Sequence, residues 1–262
     1  MSQSMQVWIY ACQFIDDPTY QGSALSLPAH QEAVRDAFQR ARLKEGEPYR
    51  LERGRGWPEF IESVLERYNH TLEELNLPTT LSGRVTAQLE LAMPGIFQAG
   101  KSEKFGKEGI SRKVEADGYE VIVDTKGMLL WKDDTEAEKP HVIITSEQVS
   151  TEYLEYLDTR NVSWIACGRE KIDLVRAMEI LAEEFGVERL GIVGGPAINS
   201  AFLDAGLLDE ISILIGSGID GRQGMPAVFD GFPKDKSPIP VKLKKVKTYE
   251  NGAVWLRYLV AE

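Results

Sequence analysis

A chain of 262 residues with 43% hydrophobic side chains can bury a full core, as one large α/β domain or two small ones. Its formal net charge of −11 argues against nucleic acid or an anionic membrane as principal partner, and no apolar stretch is long enough to span a bilayer. Two cysteines (Cys12, Cys167) and three scattered histidines (His30, His70, His141) give neither a disulfide framework nor a metal centre; with no leader pattern, the expected compartment is the cytoplasm.

In chain order, residues 7–15 (VWIYACQFI) read as an apolar strand that ends in Asp16-Asp17-Pro18. Helical spacing follows over 28–43 and 58–75, with Pro28 and Pro58 suited to first helical turns and a charged loop over 44–56 between them. Residues 78–86 (PTTLSGRVT) read as a turn-rich segment leading into 87–93, and 94–113 as a loop rich in Gly and Lys. Strands are expected at 119–124, 142–145 and 164–167, with a helix near 151–157. The amphipathic stretch Leu174–Phe185 meets a helix stop at Gly186. Then come a strand at 190–193, a Gly-Gly turn, a helix carrying Ile198, Phe202 and Leu203, a break at Gly206 and a strand over Glu210–Ile215. Glu250-Asn251-Gly252 suits the turn of a C-terminal hairpin between 242–247 and 253–260. Strands alternating with helices and closed by a hairpin predict an α/β fold. Its sheet is mostly parallel and central, flanked by helices, with the antiparallel hairpin at one edge. The expectation is one domain over 1–262, with a helical insertion at about 24–76.

Two motifs suggest phosphate chemistry. Gly194 and Gly195, between a strand end and a helix start, let the backbone approach a ligand while the helix directs free N–H groups outward. A tight turn without ligand is the rival reading. Residues 95–102 (GIFQAGKS) satisfy the GxxxxGK[ST] nucleotide-loop pattern, but Met93-Pro94 precedes them and a Gly-rich stretch follows, where that chemistry needs a buried strand and a helix. A surface loop is the expected reading.

Five segments in order carry a family resemblance: 14–17 (FIDD), 81–86 (LSGRVT), 142–146 (VIITS), 193–199 (VGGPAIN) and 205–213 (AGLLDEISI). Together they resemble the reductase domain of bacterial riboflavin biosynthesis, in the dihydrofolate-reductase-like superfamily. The chain departs from that pattern at Phe14, Asp17 and Val193, and it lacks the H-x-E and C-x-x-C zinc signature of the accompanying deaminase.

The resemblance implies an NADPH-dependent oxidoreductase that passes hydride to a small imine or carbonyl. The implied substrate is 5-amino-6-(5-phosphoribosylamino)uracil, and the implied assembly a homodimer through the sheet. Asp16 is the implied catalytic group, holding a substrate amine or relaying a proton; its rival role is a cap or turn residue. Implied cofactor contacts are Ala11, Gly83, Arg84, Thr86, Thr145, Ser146, Gly194, Gly195, Pro196, Ala197 and Ile198. Arg84 and Thr86 would clamp a cofactor phosphate, with a plain surface arginine as the rival reading, and Thr145 and Ser146 would meet the adenosine ribose or its 2′-phosphate, or cap the next helix. Gln13, Asp209 and Glu210 are the implied substrate contacts, the last two with a solvated pair as rival. Two other classes stay open: a nucleotide-binding protein without turnover, and a nucleotide hydrolase using 95–102.

Overall fold

The computed structural model describes residues 6–13 (as backbone), 70–71, 73–100, 103–216, 227–250 and 252–260. Asp16 and most of the expected insertion at 24–76 lie outside the described residues. Its tail is helical at 73–75 and stops at Asn76, whose φ of 49° ends the turn.

Among the described residues ten strands form one sheet: β1 (Gln6–Gln13), β2 (Thr79–Gly83), β3 (Gly109–Ser111), β4 (Glu120–Val123), β5 (His141–Thr145), β6 (Ser163–Ala166), β7 (Arg189–Ile192), β8 (Glu210–Ile215), β9 (Val241–Thr248) and β10 (Val254–Val260). Their order is β3-β6-β5-β4-β2-β7-β1-β8-β10-β9. Strands β6 to β8 in that order are parallel, β10 and β9 add the antiparallel hairpin, and β3 closes the other edge antiparallel to β6. Parallel strands buried on both faces need apolar runs, and Val142, Ile143 and Ile144 of β5 are fully buried.

Among the described residues, helices α1 (Arg84–Glu90), α2 (Thr151–Thr159), α3 (Leu174–Phe185) and α4 (Pro196–Asp204) cover the sheet. Ala87 of α1 and Tyr153, Leu154 and Leu157 of α2 pack in one core layer with Ile122, Ile143 and Trp131. Ala177, Leu181 and Phe185 of α3 and Phe202 of α4 pack in the other, with Leu81, Val121, Leu190 and Ile192. Ser150 caps α2 by accepting from Tyr153 N (3.2 Å), and Asp173 caps α3 by accepting from Arg176 N (3.0 Å). Helix α3 ends at Gly186 in the left-handed conformation, as expected from the sequence.

Residues 78–86 correct the sequence reading. They are a central strand, β2, followed directly by α1. Thr79 and Ser82 are buried in that strand, so its apolar run is broken and it reads as a turn. Thr79 Oγ1 is partnered inside the sheet, accepting from Tyr119 N (3.3 Å).

Candidate active site

In a parallel sheet of this kind, ligands sit outside the carboxyl ends of the strands where the chain reverses its winding direction. Here the winding runs outward through β2, β4, β5 and β6, then returns to β7, which inserts between β2 and β1. The carboxyl ends of β2 and β7 are therefore neighbours, tied by Val193 N donating to Leu81 O (2.9 Å). Both ends carry glycine. A Cβ on Gly83 would lie 3.0 Å from Ile198 Cγ1, and one on Gly194 would lie 3.1 Å from Ile198 Cβ and Cγ2. Ile198, in the first turn of α4, packs against both strand ends, so these glycines serve close helix–strand contact. Gly195 differs: it is the N-cap of α4 with φ −72° and ψ 175°, a backbone that any residue adopts. What its missing side chain provides is space in front of the helix.

The start of α4 has no side-chain cap. Pro196 carries no N–H, and the N–H groups of Ile198 and Asn199 are spent on Gly195 O (3.0 and 3.1 Å). Ala197 is the first-turn amide with no helical carbonyl to bind, beside an exposed face. Further along α4, Asn199 Nδ2 donates to Val228 O (2.8 Å) and Ser200 Oγ accepts from Asp230 N (2.9 Å), so the helix also holds the segment before the hairpin. This turn fits a dinucleotide pyrophosphate: no side chain fills the helix start, and a backbone donor is left for an anion.

Arg84 begins α1, one residue past Gly83, and Thr86 lies in the same turn. That turn holds no acidic residue, and Arg84 has no hydrogen-bond or ion-pair partner among the described residues. A cation at the positive end of a helix dipole is disfavoured by about 0.3–1 kcal/mol. Its position is understandable if an anion belongs there. On the other side of β7, Ala11 and Gln13 lie on β1, opposite Ile213 and Ile215 of β8, at the same carboxyl edge.

Two groups of expected contacts are placed differently. Thr145 and Ser146 end β5, which is separated from β2 by β4, so β5 is not the strand beside the Gly83 turn. Both residues are fully buried, and both hydroxyls donate to Thr125 O (3.1 and 3.3 Å). They brace the loop after β4 instead of facing a ligand. The residues displayed at the end of β4, which sequence reasoning passed over, are Thr125 and Lys126. Asp209 and Glu210 are also displaced. Glu210 opens β8 opposite Trp8, five residues before Ile215, so about 16 Å of strand separates it from the carboxyl edge. Its buried carboxylate accepts from Lys244 Nζ (2.6 Å) and from Arg257 Nε. This triad joins β8 to the hairpin and is a structural ion cluster, not a substrate clamp.

The loop at 95–102 lacks its required setting. Met93 forms only an isolated bridge to Leu130, and the next regular element after the loop is the three-residue strand β3. Gly100 N donates to Glu152 Oε2 (2.6 Å), so a carboxylate occupies an amide that a phosphate would need. Lys101 and Ser102 lie outside the described residues. Among the described residues no three His, Cys, Asp or Glu side chains are grouped to hold a metal, and no helix is long and apolar enough to cross a membrane.

Buried titratable groups near this edge are inert. Burial, and then the Asp124 carboxylate beside it, hold the Tyr153 hydroxyl well above the usual phenol range. Burial pushes the Cys167 thiol up to about 12, with Asp173 adding to the shift.

Comparison with known proteins agrees with the geometry. Residues 99–255 match the family model of the RibD C-terminal domain. The 2,5-diamino-6-ribosylamino-4(3H)-pyrimidinone 5′-phosphate reductase of Methanothermobacter thermautotrophicus is 30% identical over 115 residues, which is 44% of this chain and 52% of that protein. The reductase of the same name from Aquifex aeolicus is 28% identical over 109 residues, 41% of this chain and 48% of that protein. The chain thus spans about half the length of these curated relatives in the matched region. A pyrimidine reductase-like protein from Corynebacterium diphtheriae shares the fold, with a TM-score of 0.58 at 14% identity over 99% of this chain and 93% of that one. The mixed sheet with its antiparallel edge is the dihydrofolate-reductase-like fold, and since the family match covers more than half of its residues, the chain belongs to the RibD C-terminal domain family.

Proposed function

We propose that this protein is an NADPH-dependent reductase acting on a ribosylamino-pyrimidine phosphate, the class of compound in the names of its relatives. The observation that carries the reading is the pairing of two glycine-ended strands, β2 and β7, under an uncapped helix start, with an arginine beside it that has no acidic partner among the described residues. The backbone at Gly194, Gly195 and Ala197 receives the pyrophosphate, and Arg84 with Thr86 takes an adjacent phosphate oxygen. Ala11 of β1 belongs to the cofactor contacts, and Gln13, the last residue of that strand, to the acceptor. Asp16, three residues further along the sequence, holds the acceptor amine or delivers its proton. The nicotinamide supplies the hydride when bound; the chain supplies orientation and the proton.

The same reading includes a homodimer. By strand alternation Val241, Leu243 and Val246 share a face with Leu256, Tyr258 and Val260, and the first three are 41%, 52% and 49% exposed. Four lysines on β9 and the bulge opposite Arg257 and Tyr258 discourage edge-to-edge pairing. Contact through the apolar face is what remains.

The test is a tryptophan-fluorescence titration with NADPH, NADH and ATP on the wild type and on Gly195→Val. Saturable NADPH binding lost in a folded Gly195→Val protein supports the reading. ATP binding without NADPH binding overturns it.

A further inference from the structure

We infer that Asn199 is a positioning residue for the cofactor. It ties the first turns of α4 to the chain that leads into the hairpin, so that dinucleotide binding and docking of that segment reinforce each other. The inference rests on the reading that α4 begins at the cofactor pyrophosphate. Residues 227–240 form neither helix nor strand, so their backbone groups need partners outside a regular ladder. Helix α4 supplies them from its side chains. Asn199 Nδ2 donates to Val228 O (2.8 Å), and Asp230 N donates to Ser200 Oγ (2.9 Å). Phe229, between these two points, packs against the core layer that contains Phe202 of α4. At the helix end, Lys236 Nζ pairs with Asp204 and lies 4.3 Å from the centroid of the Phe232 ring. The segment thus follows α4 from Asn199 to Asp204.

Asn199 and Ser200 are 1% and 5% exposed. Burying an amide costs free energy that an apolar residue of similar size avoids, and Asn199 Oδ1 meets no donor among the described residues. What the amide provides is one directed bond, which fixes where helix and segment sit relative to each other.

That placement matters because a helix start that holds an anion faces two demands. Its first N–H groups must stay free of a side-chain cap, and its first turn must still keep its shape. Helix α4 has no side-chain cap at Gly195, so the shape is held from elsewhere. Ile198 supplies one support, packed on the strand ends at Gly83 and Gly194. Asn199, the next residue, supplies a second through Val228. An anion at the helix start orders the same turn, and two events that order one turn favour each other.

Titration of the full chain with NADPH and NADH, with hydrogen exchange at the Asp230 amide, tests this coupling. Asn199→Leu keeps the side-chain size and removes the donor. It should weaken NADPH and NADH by one common factor, about 5- to 30-fold, because the turn meets the pyrophosphate that both share. Ser200→Ala should weaken both about 2- to 10-fold, the effect of one ordinary hydrogen bond, and it carries the test if Asn199→Leu does not fold. Lys236→Ala loosens the segment at the far end of α4 and should leave both affinities unchanged. Saturating NADPH should slow exchange at Asp230 in the wild type, and this protection should be lost in Asn199→Leu. Unchanged affinities in the folded variants, a loss confined to one dinucleotide, an equal loss in Lys236→Ala, or Asp230 exchange indifferent to NADPH overturns the inference. A wild type that binds neither dinucleotide sinks the reductase reading. Inorganic pyrophosphate then takes their place, and its failure to slow Asp230 exchange overturns the coupling.

Discussion

Gly194→Ala gives a sharp test of how the two strand ends and α4 fit together. The added Cβ would lie 3.1 Å from both Ile198 Cβ and Cγ2, tighter than ordinary contact. Ile198 Cβ is fixed to the helix backbone, so relief requires the first turn of α4 to move by a few tenths of an ångström. Overpacking of this kind costs about 1–3 kcal/mol. Replacing glycine by alanine where no strain arises stabilises by about 0.4–1 kcal/mol through the unfolded chain. The expected net effect is destabilisation of up to about 2.5 kcal/mol, a fall in Tm of up to about 10 °C for a chain of this size. In an Ile198→Gly background both contacts vanish, and Gly194→Ala should become neutral or stabilising. Guanidinium denaturation of the four proteins, compared at equal m, yields the coupling energy. A Gly194→Ala cost that is the same with and without the Ile198 side chain would refute the packing argument.

Three further outcomes are expected. Cys167, fully buried with its thiol pushed up to about 12, should resist alkylation by iodoacetamide at pH 8 in native protein and react on unfolding; peptide mass mapping reads this, and rapid native labelling contradicts it. Asp158 is desolvated, yet bonds from Lys113, Trp164 and Ser111 outweigh that and hold its carboxyl below the usual range. A depressed carboxyl contributes stability above the unfolded value near 3.9 and loses it as pH falls through the folded value. Asp158→Asn should therefore destabilise at pH 7 and lose its deficit as pH falls through the folded value; an unchanged deficit in acid contradicts this. Light scattering at micromolar concentration should give twice the 29.3 kDa chain mass, and Leu243→Glu should shift it toward the monomer; a wild-type monomer rules out the dimer.

The legible parts of the fold were those written in local pattern. Helix α3 and strand β8 have the bounds their periodicity predicts, and Gly186 stops α3 as its position implies. Strand β2 was hidden because Thr79 and Ser82 break its apolar run, and their burial depends on β4 and β7 on either side. The Gly194-Gly195 turn was visible, but which glycine serves packing was not, since that depends on where Ile198 points. Thr145 and Ser146 were legible as the end of a strand, but their burial and their bonds to Thr125 O were not, since these depend on the loop after β4 packing beside them. Glu210 was misread for a similar reason. Its partners Lys244 and Arg257 come 34 and 47 residues later, and only the folded hairpin brings them to it. Thr125 and Lys126 carried no sequence signal beyond following a predicted strand. Their bracing is entirely tertiary.

The central claim is hydride transfer, and isotope transfer tests it most directly. The protein is incubated with NADPH carrying deuterium at the nicotinamide C4 and with the ribosylamino-pyrimidine phosphate, and the product is weighed by mass spectrometry. The account predicts cofactor oxidation with one deuterium delivered to the product carbon, and its loss in Asp16→Asn by about 100- to 10,000-fold in rate with NADPH binding kept. Bound NADPH that is never oxidised by this substrate, or product formed without deuterium, would contradict it.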